Sequence, residues 1–77
     1  MQLNIKYFGL IAEITKCNEE VLEFSNETIT ELKVMLFIKY PELKTKDFQI
    51  AQNKEIVSNS TRVSGDEIAL LPPFSGG

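Results

Sequence analysis

The chain has 77 residues, fewer than most single domains, so we expect one folded unit and no second domain. Hydrophobic residues make up 43% and charged residues 25% of the chain, a balance that supports one modest core and argues against intrinsic disorder. Eight basic residues against eleven acidic residues give a net charge of -3, which argues against a nucleic-acid-binding protein, because such proteins carry a basic surface.

Several residue types and segments are missing. No apolar run approaches the length of a membrane-spanning helix, about 20 residues, and the first residues lack the pattern of a signal peptide. We therefore expect a cytoplasmic protein without membrane contact. One cysteine and no histidine exclude an internal disulfide, a structural zinc site and histidine-based catalytic pairs. Without the glycine-rich phosphate-binding motifs either, a self-sufficient enzyme is not expected.

An alternating strand opens the chain. Residues 2–8 alternate polar and apolar side chains, which is typical of a strand with one buried face. Gly9 breaks the pattern, residues 10–15 fit a short helical turn, and residues 20–24 alternate again as a second strand. We expect these strands to pair antiparallel because they are close in sequence. The residues expected to point inward from the first strand are Leu3, Ile5 and Tyr7.

The main helix is predicted to begin after Thr28. The sequence Thr28-Ile-Thr-Glu31 has the form of a capping box, in which the glutamate side chain reaches back to the amide of the threonine. Apolar residues then recur at helical spacing and predict a face that lies on a sheet. Pro41 disfavours helical backbone at Tyr40, so the helix should stop there. The apolar positions of this face are Ile29, Leu32, Met35 and Leu36.

Two short strands are predicted after the helix. Residues 48–53 alternate as a third strand, and Asn53-Lys54 provides a turn. Residues 55–57 then form a short fourth strand. The stretch 59–64 is predicted to be a polar loop.

The last strand is predicted at residues 68–71. It follows a turn signal at residues 64–66, and two prolines end it. The order strand, strand, helix, strand, short strand, strand predicts an α+β fold, the β-grasp (ubiquitin-like) roll, with one main helix over a mixed sheet of four to five strands. In this roll the first and last strands are parallel neighbours in the sheet centre. We expect residues 1–77 to form a single β-grasp domain, with residues 72–77 as an extended tail.

These two central strands also predict a docking surface. Alternation directs Ile68 and Leu70 inward and Ala69 and Leu71 outward. By the same alternation, the side chain of Phe8 points to the outer face of the sheet. An apolar patch beside the tail is expected to bind a partner, since small proteins seldom leave such a patch bare. The alternative is that a loop or the tail covers it. The predicted patch consists of Phe8, Ala69, Leu71 and Phe74.

The ending Pro72-Pro-Phe-Ser-Gly-Gly77 indicates a reaction at the carboxylate of Gly77. The prolines favour extended backbone, so the six residues can reach roughly 20 Å beyond the domain. Gly76 and Gly77 lack side chains and can pass through a channel too narrow for other residues. A partner could convert the Gly77 carboxylate to an acyl-adenylate, which a sulfur or nitrogen nucleophile displaces. The alternative is that this Gly-Gly sequence is inert.

Three motifs together resemble one protein family. Tyr7-Phe8-Gly9 with Glu13, Gly65-Asp66-Glu67, and the Pro-Pro-x-Ser-Gly-Gly ending are similar to the small subunits of molybdopterin synthase, the MoaD-type sulfur carriers of the MoaD/ThiS family. Residues 28–41 resemble the family's helix, including its closing proline. The ending is the most specific part, because the thiamine-pathway carrier usually shares only the Gly-Gly and the fold. The chain departs from the family in Phe74, where small aliphatic residues are common, and in its low basic content.

The resemblance implies a carrier of molybdenum cofactor biosynthesis that is not an enzyme by itself. A ubiquitin-activating-enzyme-like adenylyltransferase would use ATP to adenylate Gly77. A sulfur donor, such as a cysteine desulfurase or a rhodanese-like protein, would then form the thiocarboxylate. The large synthase subunit, which carries the catalytic residues, would use it to place dithiolene sulfurs on cyclic pyranopterin monophosphate. The chain itself would bind no cofactor or metal. With the predicted patch, the tail residues expected to bind these partners are Pro72, Pro73, Phe74 and Ser75.

Other functions stay open at this point. A carrier could serve another acceptor, such as the thiazole of thiamine, cysteine or transfer RNA, and a ubiquitin-like modifier would be joined to a lysine. Cys17 could carry sulfur as a persulfide, but only Lys16 lies nearby in sequence to lower its pKa, so we expect a thiol in a loop or at a helix end. Asp66 and Glu67 are interpreted as a turn and the start of a strand rather than as a metal site.

Overall fold

Among the residues that the computed structural model describes, namely 2–25, 27–64 and 67–73, five strands form one mixed sheet. Their order across the sheet is second, first, fifth, third and fourth. The first and fifth strands are parallel neighbours, whereas the first and second, third and fifth, and third and fourth strands pair antiparallel. The sheet thus has the arrangement predicted from the element order. The strands are β1 (Gln2–Tyr7), β2 (Glu19–Glu23), β3 (Gln49–Gln52), β4 (Glu55–Ile56) and β5 (Glu67–Leu71).

Two α-helices and a short 3-10 helix connect the strands. They are α1 (Leu10–Thr15), α2 (Ile29–Lys39) and the 3-10 helix Pro41–Thr45. The predicted capping box starts α2, and the Glu31 carboxylate accepts a hydrogen bond from the Thr28 N–H at 3.0 Å. The helix stops at Tyr40, directly before the proline, as predicted. Within the described part of the chain, no helix is long and apolar enough to cross a membrane.

One hydrophobic cluster joins the inner face of the sheet to the helices. Leu3, Ile5 and Tyr7 of β1 are buried, which confirms the predicted inward face of the first strand. Burial of each large apolar side chain contributes roughly 1.5–3 kcal/mol to folding. The other core residues are Ile11, Phe24, Ile29, Leu32, Leu36, Leu43, Ile50, Val63, Ile68 and Leu70.

The predicted polar loop 59–64 contains one core residue that the prediction missed. Val63 is 0% exposed, because backbone hydrogen bonds hold the loop against the start of α2. Its N–H donates a hydrogen bond to the Glu27 carbonyl at 2.8 Å, and the Ile29 N–H donates to the Thr61 carbonyl at 2.9 Å. A single apolar residue among polar neighbours produces no periodic pattern, so sequence alone did not reveal its burial.

Candidate docking surface and tail root

The two central strands end at the same edge of the sheet. β1 and β5 run parallel, and the Phe8 N–H donates a hydrogen bond to the Leu70 carbonyl at 3.3 Å, one residue beyond β1. Beyond this bond, Gly9 leads into α1, whereas Pro72 follows β5 as the root of the tail. Gly65 and Asp66 of the predicted turn lie outside the described residues. The predicted site residues that also lie outside them are Phe74, Ser75, Gly76 and Gly77.

Three of the four predicted patch residues lie on the outer face of the sheet. Lys6 pairs with Ala69 across the β1–β5 ladder, and paired residues share a face. Alternation places Phe8 and Leu71, each two residues further along its chain segment, on that same face. Phe8 is 44% exposed, and Ala69 and Leu71 are partly exposed, so the described loops do not cover this surface.

Two residues that sequence analysis did not assign extend this surface. Ala51 pairs with Ala69 on β5 and with Ile56 on β4, so one row of apolar side chains crosses three strands. Ala51 itself is buried, with 5% of its surface exposed, so it forms the floor of this row rather than an exposed contact. Ile56 is 52% exposed on the edge strand. No local signal could have identified this row, because it depends on the register between strands that are distant in sequence. We call the combined surface the outer strip, made of Phe8, Ala51, Ile56, Ala69 and Leu71.

An ion pair borders the outer strip. Lys6 Nζ lies 2.9 Å from a Glu67 carboxylate oxygen, and both side chains are partly exposed. This hydrogen bond and the negative charge of Glu67 raise the pKa of Lys6. Glu67 is the first residue of β5, as interpreted from the sequence, and its partner in the structure is a lysine. Among the described residues, no group of three or more cysteine, histidine or acidic side chains is placed to hold a metal ion.

A hydrogen-bonded cluster lies on the inner side of β1 and β2. The Glu20 carboxylate accepts hydrogen bonds from the hydroxyls of Tyr7 and Tyr40, each at 2.5 Å, and from Lys39 Nζ at 2.8 Å. Partial burial acts to raise the pKa of Glu20, but these hydrogen bonds outweigh it and hold the pKa below its usual value. Burial, followed by the bond to Glu20, raises the pKa of Tyr7. The cluster joins β1, β2 and the end of α2, so its structural role is to fasten these elements together.

Cys17 belongs to this inner side rather than to the outer strip. Its side chain is partly buried and packs against the core, near the Tyr40 hydroxyl. The Thr15 hydroxyl donates a hydrogen bond to the Cys17 carbonyl at 3.1 Å, which holds the residue in the connection between α1 and β2. This position, directly after the C-cap of α1, agrees with the expected thiol in a loop or at a helix end.

A mixed five-stranded sheet with parallel central strands and a main helix on one face is the β-grasp fold of ubiquitin-like proteins. Subunit 1 of a putative molybdopterin converting factor from Pyrococcus furiosus shares this fold, with a TM-score of 0.88 and 19% identity, over 96% of this chain and 99% of that one. Small archaeal modifier protein 1 (SAMP1) from Methanosarcina acetivorans has a TM-score of 0.78 and 25% identity, over 99% and 96% of the two chains.

Two further comparisons concern the family. The ThiS family model matches residues 5–77. A molybdopterin synthase sulfur carrier subunit from Chlamydomonas reinhardtii is 32% identical over 83 residues, which span 100% of both chains. The chain therefore belongs to the ThiS family. A complex of subunits 1 and 2 of the molybdopterin-converting factor from Helicobacter pylori 26695 also contains a similar chain, with a TM-score of 0.69, 28% identity and full coverage of both chains.

Proposed function

We propose that the protein is the sulfur carrier subunit of a molybdopterin synthase, a small subunit without catalytic groups of its own. The observation that carries the proposal is the full-length similarity to the Chlamydomonas reinhardtii sulfur carrier subunit, at 32% identity. The match to the ThiS family extends to Gly77, so the proposed reactive residue falls within the family's pattern. The end of β5 also supports it, because a tail that follows a central strand starts beside an exposed apolar surface.

The proposed reaction occurs on the Gly77 carboxylate. One carboxylate oxygen attacks the α-phosphorus of ATP on the activating enzyme, an oxygen–phosphorus bond forms, and pyrophosphate leaves. A sulfur nucleophile, such as hydrosulfide, then attacks the carbonyl carbon of the acyl-adenylate. A carbon–sulfur bond forms, the carbon–oxygen bond to AMP breaks, and AMP leaves with its electron pair. With hydrosulfide as nucleophile the product is the thiocarboxylate, and no step requires an oxidant or reductant.

The proposed partners dock on the outer strip. Phe8, Ala69 and Leu71 lie beside the root of the tail, so a protein bound there would receive the tail directly. The large synthase subunit would supply the catalytic residues for sulfur transfer to cyclic pyranopterin monophosphate. The Helicobacter pylori complex of subunits 1 and 2 supports such a pairing. ATP is used by the activating enzyme, and the carrier itself binds neither cofactor nor metal.

Intact-mass spectrometry tests this function. The protein is incubated with ATP, the ubiquitin-activating-enzyme-like adenylyltransferase and sodium sulfide. A mass gain equal to the exchange of one oxygen for one sulfur supports the carrier function. The matched control lacks only Gly77 and should keep its original mass. An unchanged mass of the intact chain would contradict the proposal.

A protein modifier is the second candidate, because SAMP1 from Methanosarcina acetivorans is similar in fold and 25% identical. A modifier activated through the same acyl-adenylate would be captured by a lysine amine, forming an isopeptide bond as AMP leaves. The same mass measurement, repeated with a cell extract, separates the two functions, since a conjugate has the added mass of a whole partner protein. Addition of cyclic pyranopterin monophosphate and the large subunit then distinguishes this carrier from carriers for other acceptors.

A further inference from the structure

Gly9 and Pro72 are in direct contact at the point where the central strands end. Gly9 has φ 56 and ψ -133, a backbone conformation that residues with side chains rarely adopt. A Cβ atom added to Gly9 would lie 3.0 Å from Cγ of Pro72, closer than ordinary van der Waals contact. The bare α-carbon of Gly9 therefore packs against the proline ring, and a side chain at position 9 would push that ring aside.

Both partners of this contact are held in place. The Gly9 carbonyl accepts hydrogen bonds from the N–H groups of Ala12 at 3.0 Å and of Glu13 at 3.4 Å, which tie it to the first turn of α1. Ile11, which is buried in the core, anchors that helix. Pro72 directly follows β5, and its ring keeps φ near -65°. The direction of the chain at Pro72 therefore depends on the surface against which its ring rests.

We propose that Gly9 is a positioning residue for the carrier tail: by leaving space for the Pro72 ring, it sets the direction in which the chain leaves the sheet. The inference rests on the proposed function, in which the Gly77 carboxylate must reach a reacting phosphate. Gly77 is five residues beyond Pro72, or about 17 Å of extended chain, so a small rotation at the proline displaces the carboxylate considerably. A misplacement of about 1 Å at reacting atoms can reduce a rate by about 100-fold.

The first experiment measures adenylation kinetics with Gly9→Ala, Pro72→Ala and the double variant. Pyrophosphate release is followed with the carrier as the varied substrate. For Gly9→Ala, kcat should fall about 10- to 100-fold while KM changes less than about twofold, because the outer strip stays intact. Pro72→Ala removes the Cγ atom that a new Cβ would meet, so Gly9→Ala should lower kcat much less in the Pro72→Ala background than in the unaltered protein.

This comparison separates positioning from a merely structural role. Backbone strain at φ 56 does not depend on the Pro72 ring, so a loss of kcat caused by strain would be equally large in the Pro72→Ala background. Val63→Ala is the matched control for lost stability. Val63 lies near the start of β5: the N–H of the next residue, Ser64, donates a hydrogen bond to the Gln52 side chain, and Gln52 pairs with Ile68. Pro72, in contrast, follows the end of that strand. This control should unfold at a lower temperature and keep the kcat of the unaltered protein.

The second experiment measures the tail position without any partner. Spin labels are attached to Lys54→Cys, in the exposed β3–β4 turn, and to Ser75→Cys, in a Cys17→Ser background. Gly9→Ala should shift the mean distance between the labels by about 2 Å, since residue 75 lies about 10 Å of extended chain beyond Pro72. In the Pro72→Ala background, Gly9→Ala should shift this distance much less.

The possible failures are distinguishable. If Gly9→Ala keeps both the original kcat and the original label distance, the positioning role is wrong and the proposed function stands. The positioning role is also wrong if Gly9→Ala lowers kcat as much in the Pro72→Ala background as in the unaltered protein. If the unaltered protein is never adenylated, the proposed function is wrong, and the label distances alone decide whether Gly9 directs the tail.

Discussion

The Phe8 N–H donates a hydrogen bond to the Leu70 carbonyl at 3.3 Å and so extends the parallel ladder one residue beyond β1. This bond holds the Phe8 backbone against β5, while alternation directs its side chain to the outer face, beside Leu71. The aromatic residue of the outer strip is thereby fixed at the root of the tail. In the proposed function, docking and delivery of the tail would both depend on this edge of the sheet.

Charge introduced into the outer strip should weaken partner binding. Phe8→Asp or Leu71→Asp should each cost about 2–4 kcal/mol of binding free energy for the large subunit and for the activating enzyme, because an unpaired carboxylate would be desolvated in the interface. Val34→Asp is the matched control, since Val34 is 53% exposed on α2 and lies outside the strip. Calorimetric titration measures the affinity of all three variants for both partners. Unchanged affinity of the strip variants, or their unfolding before binding can be measured, would refute this face assignment.

Removal of Gly77, or addition of one residue after it, should abolish sulfur loading. Either change displaces the reactive carbonyl by about 3.5 Å along an extended tail. Because the core cluster is built from residues 3–70, the melting temperature should stay close to that of the unaltered protein. Thiocarboxylate formation is measured by intact mass. Near-normal loading of the shortened protein would contradict the carrier mechanism.

Replacement of Gly76 tests the width of the partner's channel. Gly76→Ala adds a single methyl group and leaves the position of the carboxylate unchanged, so loading should be slower but not abolished. The measurement is the initial rate of thiocarboxylate formation at saturating activating enzyme. Loading at the original rate would mean that the channel admits more than backbone.

Cys17→Ser should leave sulfur transfer essentially unchanged. The proposed sulfur is carried on a carboxyl carbon, and the Cys17 side chain packs against the core on the inner side of the sheet. Turnover of the reconstituted synthase and the melting temperature of the carrier are measured together. A large drop in turnover with unaltered melting temperature would show that the sulfur chemistry had been assigned to the wrong atom.

The Glu20 cluster should make stability depend on pH under acidic conditions. The pKa of Glu20 in the folded protein is below its usual value of 4.5, so the carboxylate contributes stability that is fully present above about pH 4.5 and lost as the pH falls through the folded pKa. Glu20→Gln should reduce the free energy of unfolding at pH 7 by about 1–3 kcal/mol, because the carboxylate accepts hydrogen bonds from two tyrosines and a lysine.

Urea unfolding at pH 7 and at pH 3 tests this linkage. The difference between the unaltered protein and Glu20→Gln should narrow at the lower pH, because below about pH 4.5 the unfolded protein takes up a proton on this carboxyl more readily than the folded protein does. Glu42→Gln, at an exposed position of the 3-10 helix, is the control and should change stability little at either pH. A difference that is the same at both pH values would mean that the charge of Glu20 contributes nothing to folding.

Much of the fold was predictable because its signals are local. Alternation over residues 2–8 identified both the first strand and its buried face, and the capping box with Pro41 bounded α2. Each signal acts within a few residues: side-chain direction alternates along one strand, and a cap bonds the turn that follows it. The assignment of Phe8, Ala69 and Leu71 to one face followed from the same alternation.

The register between distant segments carried no such signal. Ala51 and Ile56 join the outer strip through pairings with β5 and β4, and Val63 enters the core because loop 59–64 is bonded beneath α2. The contact of Gly9 with Pro72 likewise joins residues from opposite ends of the chain. Alternation assigns a side chain to a face, whereas register depends on how all the strands pack over one core. That packing is a property of the assembled fold, and it places the outer strip beside Pro72, where the described part of β5 leads into the tail.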